Sequence, residues 1–511
     1  MKENIIGIDI GTSSIKAAVI DGEGNNLGKG SSKVTVNRAR NNWSEQDMEE
    51  VWQAAAFCIR QCLQDAGLTG DDIAGLCSSG QGDGAWMIDD RGMPLGPAVL
   101  WNDNRAASIV SQWEASGLLA KVYSKTATVL WPGSMAGIMA WFRDNNPEAL
   151  KNLKTIFCCK DWVNYCLTGE KLTDTTDGSI PFTNLKTRSY DRSLLDDLQL
   201  EFLEDKLPPI RDSASVAGQV HAKAAELTGL KKGTPVITGL LDVAANALGA
   251  GLTLPGQALL ILGTTSLLAA VLGAAPADSR NVGAALLHGV GGTWLRVFGA
   301  QSGTPNVDWM AYAFNILKGE GDKRVPDFIE MDRLIAASPP GSRGILYHPF
   351  LAGERAPFLN PLATSSFFGI TASANAGDLC RSVYEGVALS AKHCLAEMDF
   401  DVRAIVMTGG GTRSDLWCRI IADVMNCEIS VPQGEELGII GSAVVGGTGI
   451  GLHKSYEEAI SRIVKEKYHY HPDPKNTPVY DDIFPLYREL ITLMGGYWKK
   501  RNTIVEKWNN L

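Results

Sequence analysis

One local pattern occurs in both halves of this chain, and it constrains the fold more than any other feature. In the first half, Asn4-Ile5-Ile6-Gly7-Ile8 reads as a strand that runs into Asp9-Ile10-Gly11-Thr12-Ser13-Ser14, after which Ile15 to Val19 resumes the strand pattern. In the second half, Ala258 to Leu262 reads as a strand, Gly263-Thr264-Thr265-Ser266 as a turn, and Leu267 to Leu272 as the next strand. The same architecture thus appears twice without obvious sequence identity, as in an internal repeat. Taken singly, each turn is equally well an ordinary hairpin. The repetition predicts an α/β protein of two related lobes, with two phosphate-holding turns facing each other. Gly11 lets backbone approach a ligand, and Thr12 and Ser13 offer hydroxyls and N–H donors. Lys16 offers a charge to neutralise phosphate, and Asp9, at the strand end, a carboxylate for Mg²⁺.

A chain of 511 residues exceeds what one core usually supports, and two large domains or about three smaller ones are expected; with two lobes the division is expected at 1–238 and 239–511. A content of 45% hydrophobic and 20% charged residues is that of a soluble globular protein and argues against long disordered spans. The net charge of −10, with no dense Lys/Arg run, argues against nucleic acid as a main partner. Any bound anion must then be held by local glycines, hydroxyls and backbone N–H groups. Ten scattered Cys without a Cys-x-x-Cys fit a reduced compartment, and no signal segment precedes the first strand pattern. A cytoplasmic location is expected. The most apolar region, 234–275, is broken by Asp242, Asn246, Pro255 and Gln257, so no membrane association is expected. The seven His are dispersed, and His469 and His471 lack a supporting cluster, so no zinc site is expected.

Between the two turns lies the apolar run PVITGLL, which ends in a single carboxylate, Asp242. A lone acid after a buried-strand pattern reads as a placed base or as a helix cap. The strand Ile73 to Ser78 ends in Ser79-Gly80-Gln81-Gly82-Asp83-Gly84, whose polar side chains can bond hydroxyls. Trp101 could offer a flat apolar face to a carbon skeleton, and Asp103 and Arg105 further hydroxyl partners. They could equally be a core Trp beside a helix cap and an ion pair. Lys160 and Asp161 open a helix after the strand Thr155 to Cys158. The segment Leu172 to Asp191 is polar and turn-rich, as expected of a loop crossing over a site. The glycine triplet Gly409-Gly410-Gly411, between the strand Ala404 to Met407 and a helix from Asp415, permits close approach of a flat or phosphorylated ligand. It is neither GxGxxG nor GxxxxGK[ST]. The tail, 473–510, reads as a polar surface helix.

Together these residues resemble the FGGY family of carbohydrate kinases, within the superfamily that also holds actin and the heat-shock chaperones. Asp9-Ile-Gly-Thr-Ser-Ser and Gly263-Thr-Thr-Ser look like the family's two phosphate motifs, and Thr408-Gly-Gly-Gly like its adenosine motif. Ser365 to Glu385 fits the second family signature, and Gly353-Glu-Arg-Ala-Pro also looks like the family's. One position departs: Ile138 stands where a Lys usually precedes the two apolar residues before Trp141. The resemblance implies two actin-like (ribonuclease H-like) lobes with an interlobe active-site cleft. It implies ATP and Mg²⁺ as cofactors and Asp242 as the catalytic base. Gly11, Thr12, Ser13, Lys16, Gly263, Thr264, Thr265, Gly409, Gly410, Gly411 and Ser414 would hold the nucleotide and Asp9 the metal. Gln81, Gly82, Asp83, Trp101, Asp103, Lys160 and Asp161 would line the sugar site. The segments Gly80 to Trp86, Cys159-Lys-Asp-Trp and Tyr347-His-Pro look similar to erythritol kinases, while L-xylulose kinases share the Gln-Gly-x-Gly form. A polyol or ketose of four or five carbons is the implied substrate, and a homodimer a compatible assembly. A nucleotide-switching binding protein or plain ATPase of the same superfold is the alternative, because a fold alone does not fix function.

Overall fold

The computed structural model describes residues 3–40, 42–276, 281–317, 328–398, 400–434 and 436–509. The chain forms two compact units.

The first unit holds Met1–Pro255, Val271–Leu295 and Glu436–Lys465. Its main sheet uses strands β1 (Asn4–Ile10), β2 (Ser14–Ile20), β3 (Asn26–Lys33), β4 (Ile73–Gly80), β5 (Val216–Gln219) and β6 (Pro235–Leu241), in the order β5-β6-β4-β1-β2-β3. β1, β2 and β3 are antiparallel neighbours, whereas β1, β4 and β6 run parallel. Parallel strands covered on both faces read as continuous apolar runs. β6 does so: every residue from Val236 to Leu241 is buried. The register aligns Ile10 with Gly80, and Gly80 with Leu241. The carboxyl ends of the three parallel strands therefore open side by side, where α/β sheets ordinarily place their ligands.

Helix α1 (Met48–Ala66) packs on β2 and β3, after Asp47 accepts the N–H groups of Glu49 and Glu50 as its cap. Helices α2 (Met135–Asn145) and α3 (Cys159–Thr168) follow, and α4 (Asp242–Gly249) begins where β6 ends. Helix α5 (Leu437–Gly449) returns to this unit late in the chain and packs against α4, β1 and β4. It is apolar all round, as a helix buried on every side must be. Its glycines allow close approach: a Cβ on Gly441 would lie 1.9 Å from the Ala245 carbonyl oxygen, and one on Gly7 2.6 Å from that of Ile439.

The second unit holds Gly256–Ala270, Arg296–Glu435 and Glu466–Leu511. Its sheet runs β9-β8-β7-β10-β11-β12, with β7 (Gln257–Leu262), β8 (Ser266–Leu272), β9 (Trp294–Ala300), β10 (Ala404–Thr408), β11 (Glu428–Pro432) and β12 (Glu466–Tyr470). β7 and β8 are antiparallel, and β7, β10 and β11 are parallel. This is the strand order of β3-β2-β1-β4-β6 in the first sheet, so the repeat read in the sequence is a repeat of topology. Helix α6 (Asp415–Met425) follows β10, and α7 (Thr477–Asn509) closes the described chain. Far from being only a surface element, α7 buries Tyr480, Tyr487 and Trp498; residue 510 lies outside the described residues.

The boundary expected at 238/239 is drawn differently by the packing. Gly239–Pro255, including Asp242, belongs to the first unit, because α4 packs against α5 and both lie with the first sheet. The segment expected to cross as a loop is also different: residues 173–183 are almost wholly buried. Among the described residues no helix is long and apolar enough to cross a membrane.

The close approach of α5 to α4 is testable. Gly441→Ala should cost about 1–3 kcal/mol through overpacking. Gly495→Ala, at an open position of α7, should gain up to about 1 kcal/mol. Urea midpoints that fell equally in the two variants would contradict the close approach.

Candidate active site

The first turn, between β1 and β2, is closed by Gly11 N–H donating to the Ser14 carbonyl at 3.1 Å. Asp9 is the residue of β1 opposite Ser79 of β4, and Ser79 Oγ donates to its Oδ1 at 3.3 Å. Asp242 is the first residue of α4, with Val243 N–H donating to its Oδ1 at 2.6 Å. Burial, reinforced by the Asp9 charge, pushes Asp242 up to about 7. Burial likewise pushes Asp9 up to about 6, with Ser79 opposing, Glu436 adding to the rise and Lys16 opposing it. The first turn of α5 presses onto this group: a Cβ on Gly438 would lie 3.2 Å from the Asp9 carboxyl carbon. The result is a surplus of carboxylate oxygen at the ends of β1 and β6. Such hard oxygen donors with unneutralised charge fit a divalent cation of the Mg²⁺ kind. Lys16 is held by Glu436 Oε1 at 2.6 Å, an exposed pair of small energetic worth.

Thr12 is the hub of the turn. Its hydroxyl donates to Gln81 Oε1 at 2.8 Å and accepts from Trp101 Nε1 at 3.1 Å. Gln46 Nε2 donates to the Thr12 carbonyl at 2.8 Å, and Gln81 Nε2 donates to Gln46 Oε1 at 2.9 Å. Trp101 is 38% exposed, so an indole surface is available to a ligand. Ser13 is exposed. Gln46 was not singled out in the sequence, because Glu45-Gln46 reads as the start of a helix; it lies in a two-residue strand before α1.

Asp83 sits in the left-handed backbone region (φ 55°) and is almost fully buried. Its Oδ1 accepts the Met135 N–H that opens α2, at 2.9 Å, and burial pushes its carboxyl up to about 7 against that bond. Gly82 leaves no room for a side chain, since a Cβ would lie 1.8 Å from Leu241 Cδ1.

Three of the expected sugar contacts are redirected. Asp103 is fully buried, and both its oxygens are taken: Oδ1 by Arg105 N–H and Nε (2.8 and 2.9 Å), Oδ2 by Ser44 N–H and Arg105 Nη2 (2.6 and 2.9 Å). It shapes the loop and has no oxygen left for a hydroxyl. Lys160 is also fully buried, with its ammonium among Asp161 (2.5 Å), Asp174 (2.9 Å) and Asp177 (3.0 Å). Burial works against the Lys160 charge, but the three carboxylates outweigh it and hold Lys160 well above its usual range. Burial pushes Asp161 and Asp177 up, against the pull of Lys160.

This cluster lies beneath the candidate site. A Cβ on Gly80 would lie 3.2 Å from Lys160 Cβ, and Gln81 Nε2 approaches Cys159 Sγ at 3.7 Å. Asp174 accepts the Thr176 N–H at 2.7 Å, and Thr176 Oγ1 accepts the Leu241 N–H at 2.7 Å, one residue before Asp242. Asp174, Thr176 and Asp177 were missed because their polar, turn-rich segment reads as a loop crossing over a site, and nothing local in it marks Lys160 as their partner.

In the second unit, Gly263 N–H donates to the Thr265 carbonyl at 3.0 Å, echoing Gly11. The Gly263 carbonyl accepts the Thr304 N–H at 2.8 Å, and Thr264 is exposed. β7 and β10 end side by side, Ile261 opposite Thr408. The three glycines that follow β10 differ. Gly409 (φ 95°) and Gly411 pack on Leu262, where a Cβ would meet atoms at 2.5 and 2.6 Å, and only Gly410 faces open space. Ser414 caps α6 by accepting the Trp417 N–H at 3.1 Å and donates to Asp332 Oδ2 at 2.9 Å, so its hydroxyl is committed to the fold.

Lys160→Met separates the two roles of that lysine. With three carboxylates left buried and unpaired, the variant should lose about 3–5 kcal/mol of stability. A variant of unchanged urea midpoint and weakened sugar affinity would instead return Lys160 to substrate binding.

Residues 4–249 match the N-terminal domain of the FGGY family of carbohydrate kinases, and 258–450 its C-terminal domain. The chain is 31% identical to the erythritol kinase of Brucella abortus, over 97% of either protein. It is 29% identical to the L-xylulose/3-keto-L-gulonate kinase of Escherichia coli, over 97% of this chain and 98% of that one. The crystal structure of xylulose kinase from Rhodospirillum rubrum superimposes with a TM-score of 0.88 at 26% identity, covering 97% of this chain and 100% of that one. These matches bring the two-domain actin-like fold and set aside the nucleotide switch and the plain ATPase. The chain belongs to the FGGY family of carbohydrate kinases, and it is an ATP-dependent sugar kinase that uses ATP with Mg²⁺.

Proposed function

We propose that this kinase phosphorylates a hydroxyl of a four- or five-carbon polyol or ketose, with Asp242 as general base. The observation that carries the base is the placement of Asp242 at the buried end of β6, near Asp9 at the end of β1: burial, reinforced by the Asp9 charge, raises Asp242 to about 7. A general base works best when its pKa lies near the working pH. Asp242 accepts the substrate hydroxyl proton as that oxygen attacks the γ-phosphorus of ATP. Phosphoryl transfer asks the protein mainly for positioning and charge stabilisation. Asp9 would hold the metal, which neutralises phosphate charge when bound with the nucleotide. The Gly11–Ser13 and Gly263–Thr265 turns would receive the phosphates, with Gly410 beside the adenosine. Gln81, Asp83 and the Trp101 face would line the sugar.

The substrate class is supported by the relatives, named as kinases of erythritol and of L-xylulose, and by Asp83. A carboxyl with one oxygen fixed on the α2 N-terminus suits a hydroxyl partner on its other side. Initial rates of ADP release over erythritol, threitol, D- and L-xylulose, ribulose and glycerol would decide. A rate with glycerol alone, or with none of them, would overturn this reading.

Asp242→Asn should lower kcat by about 10²- to 10⁴-fold while ATP still binds. A carboxyl whose pKa is raised on folding lowers stability once pH exceeds its unfolded value, so at pH 8 the Asn variant should melt no lower than the parent. Near-full kcat in that variant would remove the base assignment. In the parent, kcat/KM should rise with pH and level off above about 7, where the Asp9–Asp242 pair has lost its protons.

A further inference from the structure

We propose that Glu428, His469 and His471 form a binding site for a divalent transition-metal ion of the zinc class. β11 and β12 pair antiparallel, with Ile429 opposite Tyr470 and Ser430 opposite His469. His469 and His471 are two residues apart and share one face, and Glu428 reaches that face from the neighbouring strand. The two imidazole rings lie 4.6 Å apart between centroids. His471 Nδ1 is 3.2 Å from Glu428 Oε1, and His469 Nε2 is 3.5 Å from Glu428 Oε2. One donor atom from each of the three residues lies within 4.8 Å of the others. Metal bonds of about 2.0–2.2 Å in a tetrahedral site set ligand atoms roughly 3.4 Å apart, so small side-chain rotations close the set.

A second observation points the same way. The other nitrogen of His469, Nδ1, is 3.0 Å from Glu466 Oε1. A carboxylate on the far ring nitrogen fixes the tautomer and leaves Nε2 bare toward the metal, as in carboxylate–histidine–zinc arrangements. Two imidazoles and a carboxylate select Zn²⁺, Ni²⁺ or Cu²⁺ over Mg²⁺, so this site does not compete for the nucleotide's metal. All three ligands are exposed, which leaves the remaining coordination positions to water and the ion exchangeable. The ion would clamp β12, the edge strand, onto β11. This goes against the expectation of no zinc site drawn from the sequence, where His469 and His471 stand without a third ligand because Glu428 lies far from them along the chain.

The test is calorimetric titration of ZnCl₂ into the full-length protein, alongside the His469→Ala/His471→Ala double variant. The parent should show a site that the double variant binds at least about tenfold more weakly, and Glu466→Gln should weaken it by about 10- to 100-fold. Saturating Zn²⁺ should raise the melting temperature of the parent and not of the double variant, since a ligand of the folded state alone stabilises it. NiCl₂ should substitute and MgCl₂ should not, and the double variant should keep its kinase rate. Equal Zn²⁺ titration curves for parent and double variant would assign the ion to other groups and overturn the proposal. No binding and no melting shift at about 100 μM Zn²⁺ would overturn it too.

Discussion

The ammonium of Lys160 is the point on which the first unit's site rests. It is fully buried among three carboxyl groups, and burial pushes two of them, Asp161 and Asp177, up against its pull. Its members come from α3 and from the buried segment after it. Removing a partner from such a cluster strands charge in low dielectric, which is why its geometry is costly to change. Through Gly80 it sets the end of β4, and through Asp174 and Thr176 it sets the end of β6. The loop of Gln81 to Asp83 and the carboxylate of Asp242 are the next residues along those two strands. The chemistry proposed for them thus stands on an ion cluster that itself touches no solvent.

Both sheets solve the same problem with the same strand order. An antiparallel hairpin feeds parallel strands, and their carboxyl ends open on one edge. In the first sheet that edge carries two acids, Asp9 and Asp242; in the second it carries glycines, at Gly263 and Gly409 to Gly411. Acids placed where strands are buried on both faces have raised pKa values, whereas glycines there give room. The two units share a topology and place different residue types at the same edge of it.

Much of this was legible in the sequence. The repeated strand–turn–strand pattern, the isolation of Asp242 after an apolar run and the glycines after β10 are local signals, and a local pattern is what a sequence displays best. Less legible was anything fixed by partners distant along the chain. Asp103 and Asp83 look alike as acids in polar loops, but one is saturated by Arg105 and Ser44 and the other accepts the Met135 N–H on one oxygen. Lys160 and Asp161 read as sugar contacts at a helix start because their buried partners, Asp174 and Asp177, lie further along the chain in a segment that reads as polar loop. The packing divides the chain differently from the expected lobes for the same reason: α5 joins the first unit from far along the chain, and no composition shift announces it.

The hydroxyl of Thr12 carries a further consequence. A hydroxyl has one proton to give. Here that proton goes to Gln81, while the oxygen receives Trp101. A phosphate oxygen arriving at the turn can take the proton only if Gln81 lets go. Gln81 then has a vacant acceptor to offer an alcohol. One proton thereby links the two sides of the turn, and by thermodynamic reciprocity whatever nucleotide binding does to the affinity for the alcohol, the alcohol does to the nucleotide.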